Sequence, residues 1–85
     1  MKQLIKTIKS NREELILEYS KIKREVKVLS EGIKHATKLG KNDVCNNLWM
    51  KRSELIEKEV NVGMAIDDLT NALNHLGEST KIFWR

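Results

Sequence analysis

The stretch that decides the fold is 38-KLGKND-43, near the middle of an 85-residue chain. Gly40 can adopt the left-handed backbone conformation that commonly ends a helix. Asn42 or Asp43 can then cap a second helix, because a side-chain oxygen at that position accepts hydrogen bonds from the first backbone N–H groups. These six residues therefore predict a tight turn between two helices.

On both sides of this turn the apolar residues recur at spacings of four and three, which is typical of a helical seam. The two series match when positions whose numbers add to 81 are paired. The pairs are Ile5 with Leu76, Ile8 with Leu73, Leu15 with Ile66, Tyr19 with Val62, Val26 with Leu55, and Ile33 with Leu48. This pattern predicts an all-α fold, an antiparallel two-helix coiled-coil hairpin.

We expect the hairpin to be a single domain over residues 1–85. Helix 1 is predicted from about 2 to 38, the turn over 39–42, helix 2 from about 43 to 76, and a short tail over 77–85. Ser10 begins a Ser-x-x-Glu capping pattern, but the heptad phase passes through it unbroken. We therefore predict one continuous first helix, which the absence of proline also favours.

Composition bears on localisation and on cofactors. No apolar stretch approaches the ~18–20 residues needed to cross a bilayer, and the N-terminal MKQLIKTIKS lacks the apolar core of a secretory signal. The single cysteine, Cys45, excludes an internal disulfide and the multi-cysteine metal patterns. We therefore expect a cytoplasmic chain with no cofactor and no metal. Abundant lysine, asparagine and isoleucine, which have A/T-rich codons, agree with a phage or bacterial source.

The sequence has more apolar residues than one seam can bury. Ile16 flanks the first series, Trp49 and Ile56 flank the second, and the tail adds Phe83 and Trp84. If these side chains were exposed together, they would form a patch larger than a monomer usually tolerates. We therefore predict that the hairpin dimerises into a four-helix bundle or binds another protein, with these five residues in the interface.

Three seam positions are charged and interrupt the apolar pattern. In the predicted register they are Arg12 opposite Leu69, Arg52 opposite Leu29, and Glu59 opposite Ile22. A buried charge without a partner is strongly destabilising. Two interpretations remain open: an arginine of a second chain pairs with Glu59 and fixes the register, or the long side chains extend to water at the seam edge. Under either interpretation these three residues are candidates for setting the register.

The residue types used in catalysis do not converge. His35 lies near the turn and His75 near the open end, so a helical rise on the order of 40 Å separates them. The neighbouring carboxylates in Glu13-Glu14 and in Asp67-Asp68 diverge by about 100° on a helix. There is no glycine-rich phosphate loop, nucleophile elbow or Cys–His signature. We therefore predict that the protein is not an enzyme.

The charge pattern leaves two partner classes open. Residues 1–38 hold ten basic and five acidic groups, and residues 42–76 hold three basic and six acidic groups, so the helices attract each other. Lys2, Lys6 and Lys9 could contact phosphates, although no aromatic side chain lies among them to stack bases. Membrane-surface contact is disfavoured. We predict a regulator, adaptor or inhibitor that binds another protein, for example host machinery or a component of lysis timing; the alternative is a nucleic-acid-binding dimer.

Overall fold

The chain forms two long helices that lie side by side. The structure, a computed structural model, describes residues 2–78. Helix α1 spans Lys2–Lys38 and helix α2 spans Asn42–His75. They form a rod of 57 × 16 × 15 Å in which every long-range helix contact is between α1 and α2. The predicted all-α class is confirmed, and the two helices are arranged as a hairpin.

The helix ends follow the sequence closely, with one exception. Helix α1 passes through Ser10 without a break, and α2 begins and ends one residue earlier than predicted. The prediction that Asn42 or Asp43 caps α2 is wrong, because Lys41 occupies the cap position and no side chain caps the helix there. Asp43 instead lies in the first turn, where its negative charge interacts favourably with the helix dipole.

Both helices end in the same hydrogen-bonded motif. The N–H groups of Gly40 and Lys41 donate to carbonyls in the last turns of α1 at 3.1 and 3.0 Å, and those of Gly77 and Glu78 do the same in α2 at 3.1 and 3.0 Å. The two glycines have φ values of 69° and 82°. A residue with a Cβ adopts this left-handed conformation only at a cost, so glycine is favoured at both positions. The predicted role of Gly40 is confirmed.

The core lies in the middle of the seam. Tyr19 and Ile22 from α1 form a buried cluster with Val62 and Ile66 from α2. The partly buried side chains packed against this cluster are Leu15, Ile16, Val26 and Leu55. Ile66 is completely buried, and burying an isoleucine side chain fully contributes roughly 1.5–3 kcal/mol. The predicted seam residues therefore supply the core.

Candidate interaction surface

Much apolar surface remains outside the seam. Among the residues that the structure describes, nine large apolar side chains are exposed over 46% to 71% of their area. They are Leu4, Leu17, Val28, Leu39, Val44, Trp49, Met50, Val60 and Met64. Within residues 2–78 no third element covers these side chains, so this part of the chain presents the excess of apolar surface predicted from the sequence.

On α2 these residues are aligned along one side of the helix. Trp49, Ile56, Val60 and Met64 are separated by seven, four and four positions, which places them on neighbouring turns of one face. Ile56 is half-buried and the other three are exposed. We call these four residues the α2 stripe. It extends over the 16 residues from Trp49 to Met64, a helical rise of about 22 Å.

On α1 the exposed apolar residues are isolated from one another. Leu4, Leu17 and Val28 are separated by thirteen and eleven positions, a helical rise of about 20 Å and about 16 Å. Such single apolar side chains are normal on a protein surface. The α2 stripe is therefore the stronger candidate for an interface.

A groove of about 530 Å³ opens beside one end of the α2 stripe, close to the turn. Buried Ile33 and the half-exposed ring of Trp49 form its apolar part. Its remaining lining is polar and mostly basic: Lys27, Ser30, Glu31, Lys34, Thr37, Lys38 and Arg52. We call this cavity the turn groove. It combines an apolar surface with four cationic side chains and one carboxylate.

A smaller groove of about 250 Å³ lies at the other end of the stripe. Val60 and Met64 line it together with Tyr19, Glu59 and Gly63. Glu59 is half-buried, and within residues 2–78 no cation forms an ion pair with it. The charged seam position predicted from the sequence therefore lies at the edge of a groove that is open to water.

The side chain of each seam arginine reaches across the seam and donates a hydrogen bond to a hydroxyl group on the opposite helix. We call these two contacts the arginine crossings. Arg12 Nε donates to Thr70 Oγ1 at 2.7 Å, and Arg52 Nε donates to Ser30 Oγ at 2.9 Å. Both hydroxyls donate in turn to the carbonyl four residues earlier in their own helix, each at 2.9 Å. The arginines therefore have partners within one chain, and no second chain is needed to satisfy their Nε groups.

The register of these contacts differs by one residue from the prediction. Arg12 bonds to residue 70 and Arg52 bonds to residue 30, so the paired numbers add to 82. Sequence reasoning missed both hydroxyl partners. A signal was available, because each helix has an arginine followed 18 positions later by a hydroxyl residue: Ser30 after Arg12, and Thr70 after Arg52.

Arg52 makes a second contact, with an aromatic ring. Its guanidinium carbon lies 5.2 Å from the centroid of the Trp49 ring. At this distance the cation is attracted to the face of the indole. The hydroxyl of Ser30 and the indole together hold the Arg52 head at the edge of the turn groove.

The predicted interface residues have different environments. Trp49 and Ile56 belong to the α2 stripe, whereas Ile16 is half-buried and packs against the central core. Phe83 and Trp84 lie outside the described residues. The structure therefore brings two of the five predicted residues together on one exposed face.

The three lysines predicted to contact phosphate lie near the open end of the hairpin. Lys2 and Lys6 are exposed, and Lys6 borders a groove of about 270 Å³. Lys9 Nζ lies 3.3 Å from a carboxylate oxygen of Glu78. This ion pair lowers the positive charge that the cluster presents to a phosphate. These lysines do not line the turn groove.

The residues considered for chemistry remain dispersed. His35 and His75 are exposed, and Cys45 Sγ lies 3.6 Å from Thr37 Oγ1. Between residues 2 and 78 no three side chains of histidine, cysteine, aspartate or glutamate are grouped closely enough to hold a metal ion. In the same range, neither helix has an apolar stretch of the length that crossing a bilayer requires.

Comparison with known proteins adds no relative. No protein-family model, curated protein or solved structure matches the chain. Function is therefore inferred from the α2 stripe, the turn groove and the arginine crossings.

Proposed function

We propose that this chain is a non-enzymatic interaction protein, a regulator, adaptor or inhibitor, that docks through the α2 stripe. The observation that supports this proposal is the exposure of Trp49, Val60 and Met64 along one side of a helix whose other side is packed in the seam. Removing apolar surface from water is worth about 25 cal/mol per Å². A partner that covers the stripe would therefore bury the apolar surface of several side chains.

The partner that we propose first is a second copy of the chain. A hairpin 16 Å wide and 15 Å thick has a thin core, and two such hairpins packed face to face form a four-helix bundle. In a two-fold dimer the same surface is used by both copies, so one stripe would meet the other. We place this dimer in the cytoplasm of a bacterium or of a phage-infected cell. There the chain would regulate another protein, either as the dimer with its stripe covered or as the single hairpin with its stripe exposed.

The alternative proposal, a nucleic-acid-binding dimer, has less support. It would use Lys2, Lys6 and Lys9, but the Lys9 ammonium is already paired with Glu78. The other lining residues of the neighbouring groove are Gln3, Thr7, Ser10 and Asn11, none of which offers an aromatic face for a base.

Sedimentation equilibrium tests the proposed dimer. At tens of micromolar we expect a mass near twice the 9.9 kDa of one chain. The double variant Val60→Glu/Met64→Glu should sediment near the mass of one chain, because each dimer interface would then contain four buried carboxylates. Circular dichroism should show that the variant remains helical, since both side chains are exposed in the hairpin.

Leu17→Glu is the matched control for this experiment. Leu17 is 71% exposed and lies on α1, away from the stripe. The control should retain the dimer mass. A wild-type mass near that of one chain would contradict the proposed self-association. A dimer mass that survives the double substitution would show that the stripe is not the interface.

A further inference from the structure

We infer that the turn groove binds an acidic peptide segment that carries an apolar anchor side chain. This inference rests on the proposed function, because it gives the chemical character of a protein partner that binds the face of the hairpin carrying the α2 stripe. The groove of about 530 Å³ adjoins the α2 stripe through Trp49, which lines both. A segment bound in the groove therefore reaches the end of the stripe at Trp49.

The charge of the groove favours a negatively charged ligand. Lys27, Lys34 and Lys38 follow one side of α1 over twelve residues, a rise of about 16 Å, and Arg52 lines the groove from α2. Within residues 2–78 none of these four cations forms an ion pair, whereas Lys9 and Lys58 do. Glu31 is the one acidic side chain that lines the groove. Carboxylates spaced along a peptide would complement this row of positive charge.

Arg52 is already positioned to bind a carboxylate. Of its five N–H donors, the Nε group is used by Ser30, and the guanidinium plane is held near the ring of Trp49. The donors on the two terminal nitrogens are therefore still available. Because the head is held before a ligand arrives, binding loses less side-chain entropy than it would for a mobile lysine.

The apolar part of the groove favours a peptide over a nucleic acid. Trp49 is 47% exposed and lines the groove together with Ile33, so an aliphatic or aromatic side chain in the groove would be buried against both. A phosphate backbone brings no such side chain. One side of the indole is also occupied by the Arg52 guanidinium, which leaves less ring surface for stacking a base.

Fluorescence anisotropy of a labelled peptide tests the inference. The probe is a helical peptide of about 15 residues with leucines along one face and glutamates flanking them; the control peptide has glutamine at every glutamate position. We expect the full-length protein at low salt to bind the glutamate peptide about tenfold more tightly than the glutamine peptide. Trp49→Ala should weaken binding of the glutamate peptide about fivefold, because the anchor loses its apolar surface.

A matched pair of charge variants locates the site. Lys34→Glu/Lys38→Glu should weaken binding of the glutamate peptide at least about tenfold. Lys21→Glu/Lys51→Glu makes the same change of net charge at exposed positions outside the groove, and it should change binding by less than about twofold. Circular dichroism of both double variants should match that of the wild type, since all four lysines are exposed.

Several outcomes would overturn the inference. They are equal binding of the two peptides, equal loss in both charge variants, or tighter binding of an oligothymidylate than of the glutamate peptide at the groove lysines. If the peptide does not bind while sedimentation shows a stripe-dependent dimer, the groove assignment fails and the proposed function stands. If the peptide binds at the groove while the chain sediments as a monomer, self-association fails and the groove assignment stands.

Discussion

The two arginine crossings use the same chemistry in different surroundings. At the crossing nearer the open end, Arg12 meets Thr70, which is 7% exposed and one turn from the fully buried Ile66. At the crossing nearer the turn, Arg52 meets Ser30, and both line a groove that is open to water. The hydroxyl acceptor of one crossing is therefore buried in the seam, whereas the other crossing borders the surface that we assign to a partner.

Because of this difference, we expect one crossing to contribute mainly to the free energy of unfolding and the other mainly to partner binding. Arg12 is half-buried and its acceptor Thr70 is buried, so water replaces a lost hydrogen bond less easily there. A guanidinium at the edge of a groove can exchange one acceptor for water or for a ligand. We therefore expect substitutions near Thr70 to affect folding, and substitutions near Ser30 to affect binding more than folding.

Truncating one isoleucine in each region should give the largest contrast. Ile66→Ala should lower the free energy of unfolding by about 4 kcal/mol, because the fully buried side chain leaves a cavity in the central cluster. Ile33→Ala should lower it by about 2 kcal/mol, because Ile33 lines the turn groove and water can fill the vacated space. Urea titrations followed by circular dichroism, at one protein concentration, measure both. Equal losses would show that the turn half is as tightly packed as the centre.

Removing the hydroxyl from each crossing should give a smaller contrast in the same direction. Thr70→Val should lower the free energy of unfolding by about 2 kcal/mol, since it keeps the side-chain shape and deprives Arg12 Nε of its acceptor. Ser30→Ala should lower it by about 0.5–1 kcal/mol, since the Arg52 head can turn to water. The same urea titrations measure these losses.

The double variants Arg12→Met/Thr70→Val and Arg52→Met/Ser30→Ala serve as controls for the hydroxyl substitutions. If the cost of each single substitution comes from an unsatisfied guanidinium, the matching double variant should recover part of it. A Ser30→Ala loss as large as that of Thr70→Val would contradict the proposed difference between the two crossings.

The fold could be predicted because its determinants are local and periodic. The spacing of apolar residues on both sides of Gly40 determines which helix faces meet, and the left-handed glycine determines where the chain turns. The cap of α2 was predicted wrongly because Asn42 is taken into the helix itself, which leaves Lys41 at the cap position. Sequence preference favours Asn or Asp at a cap, but the short connection after Gly40 decides which residue occupies that position.

The candidate site was harder to predict because it depends on contacts between the helices. The sequence indicated Trp49 and Ile56 by their position beside the seam. It did not indicate that Lys34, Lys38 and Arg52 would share a groove with Trp49, because this requires a register known to within one residue. The one-residue error in register left the predicted seam residues unchanged. The predicted register placed each arginine opposite a leucine, whereas the structure pairs it with the neighbouring hydroxyl residue.

The smallest predicted effect tests how closely the helices approach at the turn end. A methyl group added at Gly32 would lie 3.4 Å from Leu48 Cδ1, which is van der Waals contact rather than a clash. Gly32→Ala should therefore raise the free energy of unfolding by about 0.5 kcal/mol, because alanine loses less backbone entropy in a helix. Urea titration against wild type measures the change. A clear loss of stability would mean that Leu48 cannot yield and that the turn half is packed as rigidly as the centre. It would contradict the difference in packing that we propose between the two arginine crossings.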